Sequence, residues 1–148
     1  MAATLELVTD QILGQLKTYW DANAPAAVGG LYAPKMLTEA DRTENSGATE
    51  GWCRISIRHS SVGSGTLGGI GNRRITRYGI VYVQIFAPFV DGEGFTIVQR
   101  LAQVARDAYE GKRTEDVWFG ACRLNEQGRD GPWMQINLAA DFQWEEVK

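Results

Sequence analysis

The chain has 148 residues, of which 44% are hydrophobic and 22% charged, and its net charge is −3. These values are typical of a single globular domain and argue against disorder along the whole chain. No stretch approaches the roughly 20 consecutive apolar residues of a membrane span, and the N-terminus lacks the features of a secretion signal, so we expect synthesis in the cytoplasm and no membrane partner.

The charges are unevenly distributed. The stretch from Gly51 to Val90 contains no acidic residue, and the remainder of the chain carries ten basic and eighteen acidic residues, a balance of −8. The five basic residues of the stretch from Gly51 to Val90 are Arg54, Arg58, Arg73, Arg74 and Arg77. Such a chain can stack head to tail or present a basic rim to a partner, although arginines at solvated strand ends are an equally simple interpretation.

The first quarter of the chain predicts a helix followed by a long connection. Apolar residues recur at steps of three and four from Thr4 to Trp20, and Thr4 is suited to cap the N-terminus. Residues 22–50 contain two prolines, a glycine pair and a polar run, which predicts an irregular connection. This connection could dock on a neighbouring subunit or lie over its own core.

Two strands follow, joined by a glycine-rich segment. Trp52 to Arg58 alternates between apolar and polar residues, and the segment Arg73 to Phe86 is rich in β-branched and aromatic residues. Between them, residues 60–72 contain five glycines. We therefore predict a long antiparallel hairpin with a mobile tip at residues 60–72.

The glycines of this tip do not predict a nucleotide site. Gly63, Gly65 and Gly68 have the spacing of a dinucleotide-binding fingerprint, but that fingerprint requires a loop that opens a helix. Here the loop leads into a strand, and the next acidic residue is Asp91. We expect no cofactor, and we interpret the loop with its flanking arginines as a contact for a large partner.

The second half of the chain repeats the pattern of a helix and two strands. The spacing predicts a helix over Phe95 to Glu110 with Gly111 just past its end, then strands over Val117 to Leu124 and Trp133 to Trp144. The order α-β-β-α-β-β predicts an α+β fold: one four-stranded, largely antiparallel sheet of two β-hairpins with two helices on one face. We expect one domain over residues 1–148.

The central strand is apolar on both faces. Val81, Val83 and Ile85 share one face, which the helices can cover. Two helices on one side cannot cover the other face, so we expect it to be an oligomer interface in a closed, symmetric assembly. Its residues are Tyr78, Ile80, Tyr82 and Phe86.

Few residues offer catalytic chemistry. His59 is the only histidine, and a dyad with Cys53 or Ser60 would lack a third member, so we interpret His59 as a surface residue. Cys53 and Cys122 are predicted to be free thiols buried in strands. No cluster has metal-ligand spacing, and no RNA-binding signature surrounds the tyrosines. We therefore predict neither an enzyme nor a metal protein.

The order of these motifs resembles the tail terminator, or tail-completion, proteins of long-tailed bacteriophages. The shared features are an N-terminal helix, the strand W-C-R-I-S-I, a glycine-rich hairpin, R-x-x-x-x-G-I-V-Y-V-Q-I-F-A-P from Arg74 to Pro88, a D-G-E-G turn, an alanine-rich helix, and the closing W-M-Q-I-N-L-A-A-D-F. The long connection at residues 22–50 departs from the family pattern.

The resemblance implies a hexameric ring on the head-proximal end of the tail tube, located in the virion and assembled in the host cytoplasm. The ring would stop tube polymerisation and offer a surface to head-completion proteins, while DNA passes through its hole without specific contacts. By analogy, the face of Tyr78, Ile80, Tyr82 and Phe86 would form the ring interface. The residues expected to contact the tail tube protein or a neighbouring subunit are Arg58, Gly63, Gly65, Gly68, Arg73, Arg74 and Arg77. The alternatives are another connector or tail tube subunit, or a small ligand-binding or enzymatic module near His59.

Overall fold

The computed structural model describes residues 3–23, 35–38, 52–64, 73–88, 93–131 and 133–147. Its helices are α1 (Leu5–Asn23) and α2 (Glu93–Tyr109), and its strands are β1 (Lys35–Thr38), β2 (Trp52–Ser64), β3 (Arg74–Pro88), β4 (Val117–Asp130) and β5 (Trp133–Val147). The strands form one sheet in the order β1-β2-β3-β5-β4. β1 is parallel to β2, and all other neighbouring pairs are antiparallel. The predicted α+β fold is confirmed, with a fifth, short strand added.

Both helices pack against one face of the sheet and share its core. Thr4 caps α1, since its side-chain oxygen accepts a hydrogen bond of 3.2 Å from the backbone N–H of Leu7. The Tyr109 hydroxyl of α2 donates a buried hydrogen bond of 2.7 Å to the carbonyl of Ile12, which ties the two helices together. Gly111 ends α2 with a φ of 65°, as a residue just past a helix C-terminus often does. The largest fully buried side chains are Trp20, Trp144, Tyr109, Ile12, Leu16, Ile55, Ile85, Leu101, Leu138, Val8, Val81 and Val83.

The predicted connection at residues 22–50 is not wholly irregular. Residues 35–38 form β1, and α1 extends to Asn23. Four residues are too few to show the alternation by which a strand is recognised in a sequence. The other residues of this connection lie outside those that the structure describes.

Both hairpins are longer than the sequence predicts. β2 continues to Ser64, so of the predicted tip at residues 60–72 only residues 65–72 lie outside the described structure. β4 continues to Asp130, six residues beyond Leu124, where the sequence predicts that it ends. It does so because Gly128, with a φ of 77°, accommodates a register shift between Glu126 and Gly128, where a β-bulge lets the strand continue.

The two hairpins point in opposite directions. In the antiparallel pairing of β3 with β5, Arg74 is opposite Val147 and Pro88 is opposite Trp133. The β2–β3 connection therefore lies at one end of the sheet, and the β4–β5 turn lies at the other.

Candidate functional site: the outer sheet face and the β2–β3 hairpin

The face of the sheet turned away from the helices, here called the outer face, carries exposed aromatic side chains on β3. Tyr78 is 39% exposed and Tyr82 is 41% exposed. In the strand register, Tyr82 is opposite Ser56 on β2 and Ala139 on β5. Because both neighbours are small residues, the tyrosine ring stands above them. Ile80, on the same face, is half-buried.

Phe86 differs from the other three residues predicted for this face. Its side chain is only 7% exposed, so a single copy offers little of its surface to a second chain, and its role in an interface stays a prediction. Its neighbour in register on β5 is Gln135, a larger residue type than the alanine beside Tyr82 on the same strand. Strand alternation predicts which face a residue is on, but the size of its cross-strand neighbours decides whether it is exposed there.

Trp118 is a member of the outer face that sequence reasoning missed. It lies on β4 opposite Gln143, which is itself opposite Tyr78. Together these residues border a depression of about 290 Å³. The guanidinium carbon of Arg113 lies 4.7 Å from the centre of the Trp118 ring. The sequence signal was available, because Trp118 lies between the buried residues Val117 and Phe119 and must therefore face outward.

Polar pairs lie among these aromatic residues. Arg54 donates hydrogen bonds to the side-chain oxygen of Gln84, across the β2–β3 pair. Arg123 donates to both carboxylate oxygens of Asp141, at 3.1 and 3.3 Å. A face that mixes exposed aromatic rings with polar pairs has the composition of a contact surface between proteins.

The predicted contact arginines do not share one environment. Arg58 and Arg73 are exposed, and Arg74 lies 3.8 Å from a carboxylate oxygen of Glu145. Arg77 instead lies on the helix side of β3, where it is bonded to Glu146 at 2.5 Å and its guanidinium carbon lies 5.9 Å from the centre of the Trp144 ring.

Arg77 therefore stabilises the base of the hairpin, with only 29% of its side chain exposed.

The three glycines predicted to contact a partner also differ in their surroundings. Gly63 is half-buried, and a Cβ there would lie 3.4 Å from the Tyr78 ring. Gly65 and Gly68 lie outside the described residues.

A groove of about 510 Å³ separates the start of α1 from the β2–β3 hairpin. Its rim includes Leu5, which is 55% exposed, and Val62, which is 62% exposed. His59 also borders it, and the His59 ring meets the Phe142 ring edge-on with 5.6 Å between their centres. His59 is exposed, as predicted for a surface residue.

Neither cysteine is placed for nucleophilic chemistry. Both are free thiols, as predicted; Cys53 is fully buried and Cys122 is half-buried. Burial raises the pKa of Cys53 far above its ordinary value, and burial followed by the charge of Glu110 raises the pKa of Cys122 to about 11. The thiolate, which is the reactive form, is therefore disfavoured at both positions near neutral pH.

Two other features are absent from the described residues. Within them, no group of three or more His, Cys, Asp or Glu side chains is placed to hold a metal ion. Neither of the two described helices has the length and apolarity needed to cross a membrane.

The fold has counterparts among solved structures. One is a protein whose name states no function, with a TM-score of 0.65 and 10% sequence identity over 98% of this chain and 96% of the other. A second is a chain in the virion of a native gene transfer agent particle, with a TM-score of 0.51 and 15% identity over 93% of this chain and 94% of the other. No protein-family model and no curated protein sequence matches the chain. These likenesses show a shared fold along nearly the whole chain.

Proposed function

We propose that this chain is a structural protein of a phage-type virion and acts as a tail terminator. In this role, copies of the chain form a ring on the head-proximal end of the tail tube, end its polymerisation and present a surface to head-completion proteins. The observation that carries the proposal is the fold shared, over nearly the full length of both chains, with a chain of a gene transfer agent virion. The order of sequence motifs supports the same assignment, and the role requires no catalytic step.

The outer face supports self-association. Tyr78 and Tyr82 are exposed at its centre, and Trp118 borders the adjacent depression. Aromatic residues are enriched in protein interfaces, where they bury a large area at a low cost in conformational entropy. We propose that a second copy covers this face and that six copies close the ring, with the half-buried Ile80, which lies between the two tyrosines on β3, contributing less area.

The β2–β3 hairpin supports contact with the tube or with a neighbouring subunit. It lies at one end of the sheet, and Arg58, Arg73 and Arg74 lie in its exposed part. We propose that these arginines meet an acidic surface of the tail tube protein. Any contact of the ring with DNA in its pore would depend on phosphate charge and not on base sequence.

The proposal is tested by measuring mass in solution and capping activity. We expect a hexamer by light scattering, alone or after addition of tail tubes, and tubes of defined length by electron microscopy. The double variant Arg73→Glu with Arg74→Glu should keep its far-ultraviolet circular dichroism and fail to join tails to heads. Normal joining by this variant would contradict the role of the hairpin.

A matched control carries the same change of charge elsewhere. Lys17→Glu with Arg100→Glu alters two exposed residues of the helices and should leave tail joining unchanged. If both double variants lose activity equally, net charge and not the hairpin is responsible.

The same fold likeness also fits another connector or tail tube subunit. Tube subunits stack without limit, whereas a terminator closes a ring and stops. Open polymers of the purified chain in electron micrographs would favour a tube subunit and exclude the terminator role.

A further inference from the structure

One edge of the sheet is only partly covered. β4 is the last strand in the sheet order, and the connection from α2 pairs with its first residues. The backbone N–H of Phe119 donates to the carbonyl of Lys112 at 3.0 Å, and that of Gly111 donates to the carbonyl of Gly120 at 3.2 Å. Beyond Gly120, no strand among the described residues pairs with the outer side of β4.

The exposed part of this edge contains one regular segment. β4 shifts register between Phe119 and Cys122 and again between Glu126 and Gly128, and bulges of this kind discourage pairing with another strand. Between the two shifts, the five residues from Cys122 to Glu126 stay in register with β5. A regular edge segment presents a row of backbone donors and acceptors that favours pairing with another strand.

Among the described strands, the opposite edge of the sheet is β1, and its length and direction match this segment. β1 has four residues, Lys35–Thr38, and runs parallel to β2. Three successive antiparallel pairings lead from β2 through β3 and β5 to β4, so β4 runs antiparallel to β1. A second copy in the same orientation along the sheet would therefore offer its β1 to β4 in the antiparallel arrangement, the more stable of the two per residue.

We propose that the Cys122–Glu126 segment pairs with the Lys35–Thr38 strand of a second copy, so that neighbouring copies share one continuous sheet. The pairing joins two unlike edges, and contacts of this kind generate a closed ring when the rotation between copies closes and an open filament when it does not. It rests on the proposed function in one respect, because the number of copies is taken from that function. It replaces the outer face as the contact that closes the ring, because copies that share one continuous sheet lie side by side and do not cover each other's outer face.

A small groove beside the edge favours strand addition here. Leu124 is 41% exposed on the helix side of β4, and together with Gln99 and Gln103 of α2 it borders a depression of about 290 Å³. An added strand projects alternate side chains to each face of the sheet, and pockets for those side chains provide the specificity of strand addition. The depression can accept one such side chain from the second copy.

Disulfide cross-linking tests this pairing directly. In a Cys122→Ser background, Asn125→Cys is combined in turn with a cysteine at each of the four β1 positions. Within one copy, four strand spacings of about 4.8 Å place β1 roughly 19 Å from β4, whereas a disulfide needs Cβ atoms about 3.5–4.5 Å apart. A disulfide between these positions must therefore join two copies.

We expect at least one of the four combinations to give a ladder of linked copies on a non-reducing gel after mild oxidation. The matched control replaces the β1 cysteine with Thr18→Cys, an exposed residue of α1, and should give no ladder. A hexameric mass by light scattering without a ladder from any combination would overturn the pairing and leave the proposed function intact. A chain that stays monomeric at every concentration, both alone and after addition of tail tubes, would overturn both.

Two proline variants give an independent readout. Backbone N–H groups of successive residues in an edge strand point alternately toward the neighbouring strand and away from the sheet. Leu124 and Asn125 are adjacent, so one of the variants Leu124→Pro and Asn125→Pro removes an N–H that points away from the sheet, and the other removes an N–H that bonds to β5. The variant that loses the outward N–H should keep the melting temperature of the original chain and self-associate about tenfold more weakly. If both variants fold and both self-associate as tightly as the original chain, the proposal is contradicted.

Discussion

Gly79 offers the most direct test of how the centre of the sheet is packed. It is buried on β3, opposite His59 on β2 and Phe142 on β5. A Cβ at this position would lie 2.5 Å from the carbonyl oxygen of Arg58 and 2.7 Å from Cε1 of Phe142, and it would also overlap the Cζ atom of that ring. The Phe142 ring therefore occupies the space that a side chain at position 79 would need.

We expect Gly79→Ala to lower the free energy of unfolding by about 3 kcal/mol. Overpacking of a core typically costs about 1–3 kcal/mol, and the upper end applies here because one of the overlapping atoms is a backbone oxygen that cannot rotate away. For a chain of this size, that loss corresponds to a melting temperature about 6–12 °C lower. The measurement is urea unfolding followed by circular dichroism, at a concentration where the chain is monomeric.

Gly120→Ala is the matched control, because a Cβ there would have its nearest neighbour at 3.8 Å, the carbonyl oxygen of Asp141. This variant should be as stable as the original chain or about 0.5 kcal/mol more stable, since alanine restricts the unfolded state. Adding Phe142→Leu to Gly79→Ala should recover part of the loss, because the Arg58 carbonyl remains in place. If Gly79→Ala lies within about 0.5 kcal/mol of the original chain at an unchanged urea m-value, the packing described here is incorrect.

Three further substitutions probe the core and the outer face. Tyr109→Phe should lower the free energy of unfolding by about 1 kcal/mol, because the hydroxyl that donates to Ile12 is buried; urea unfolding measures the loss. Burial raises the pKa of the Cys53 thiol above its ordinary 9.0, so the native state keeps this proton to higher pH than the unfolded state does. The free energy of unfolding should then fall as pH rises above about 9, and Cys53→Ala should reduce that slope by about 1.4 kcal/mol per pH unit. Tyr82→Lys should weaken self-association about tenfold, measured by analytical ultracentrifugation, without lowering the melting temperature.

Each of these substitutions has a control in the chain. Tyr82→Phe removes a hydroxyl from an exposed tyrosine and should leave the stability unchanged, so an equal loss in Tyr109→Phe and Tyr82→Phe would contradict the role of the buried bond. Ile55→Val shortens a buried residue without removing a thiol, and its pH slope should match that of the original chain. Thr96→Lys adds the same charge to an exposed position of α2 and should not affect self-association.

Strand alternation and helix capping account for most of what could be predicted from the sequence. The strict alternation from Met134 to Trp144 predicts the buried face of β5, and each of those alternate residues is buried in the structure. Gly111 at the end of α2 has the positive φ that its position predicts. These features depend on residues that are close together in the chain, so one sequence is enough to identify them.

Features that depend on contacts between distant segments were not predictable in this way. β1 is defined by its pairing with β2 and not by a pattern of its own, since four residues cannot establish one. The sequence predicts that Arg77 contacts a partner, but the carboxylate to which it donates belongs to Glu146, 69 residues further along the chain. Alternation predicts the face on which Phe86 lies, but its exposure there depends on its cross-strand neighbours, and the sequence alone does not specify the register that sets them.

The two faces of β3 imply that neighbouring substitutions should have different effects. Val81, Val83 and Ile85 are completely buried beneath the helices, so shortening any of them removes core contacts and should reduce stability. Tyr78 and Tyr82 alternate with the buried positions but remain about 40% exposed, so replacing them changes little within one copy of the chain. If the outer face is the ring interface, substitutions along this one strand should alternate between loss of folding stability and loss of self-association. Equal losses of stability at both sets of positions would mean that the outer face is covered within the single chain, and the physical argument for a ring would fail.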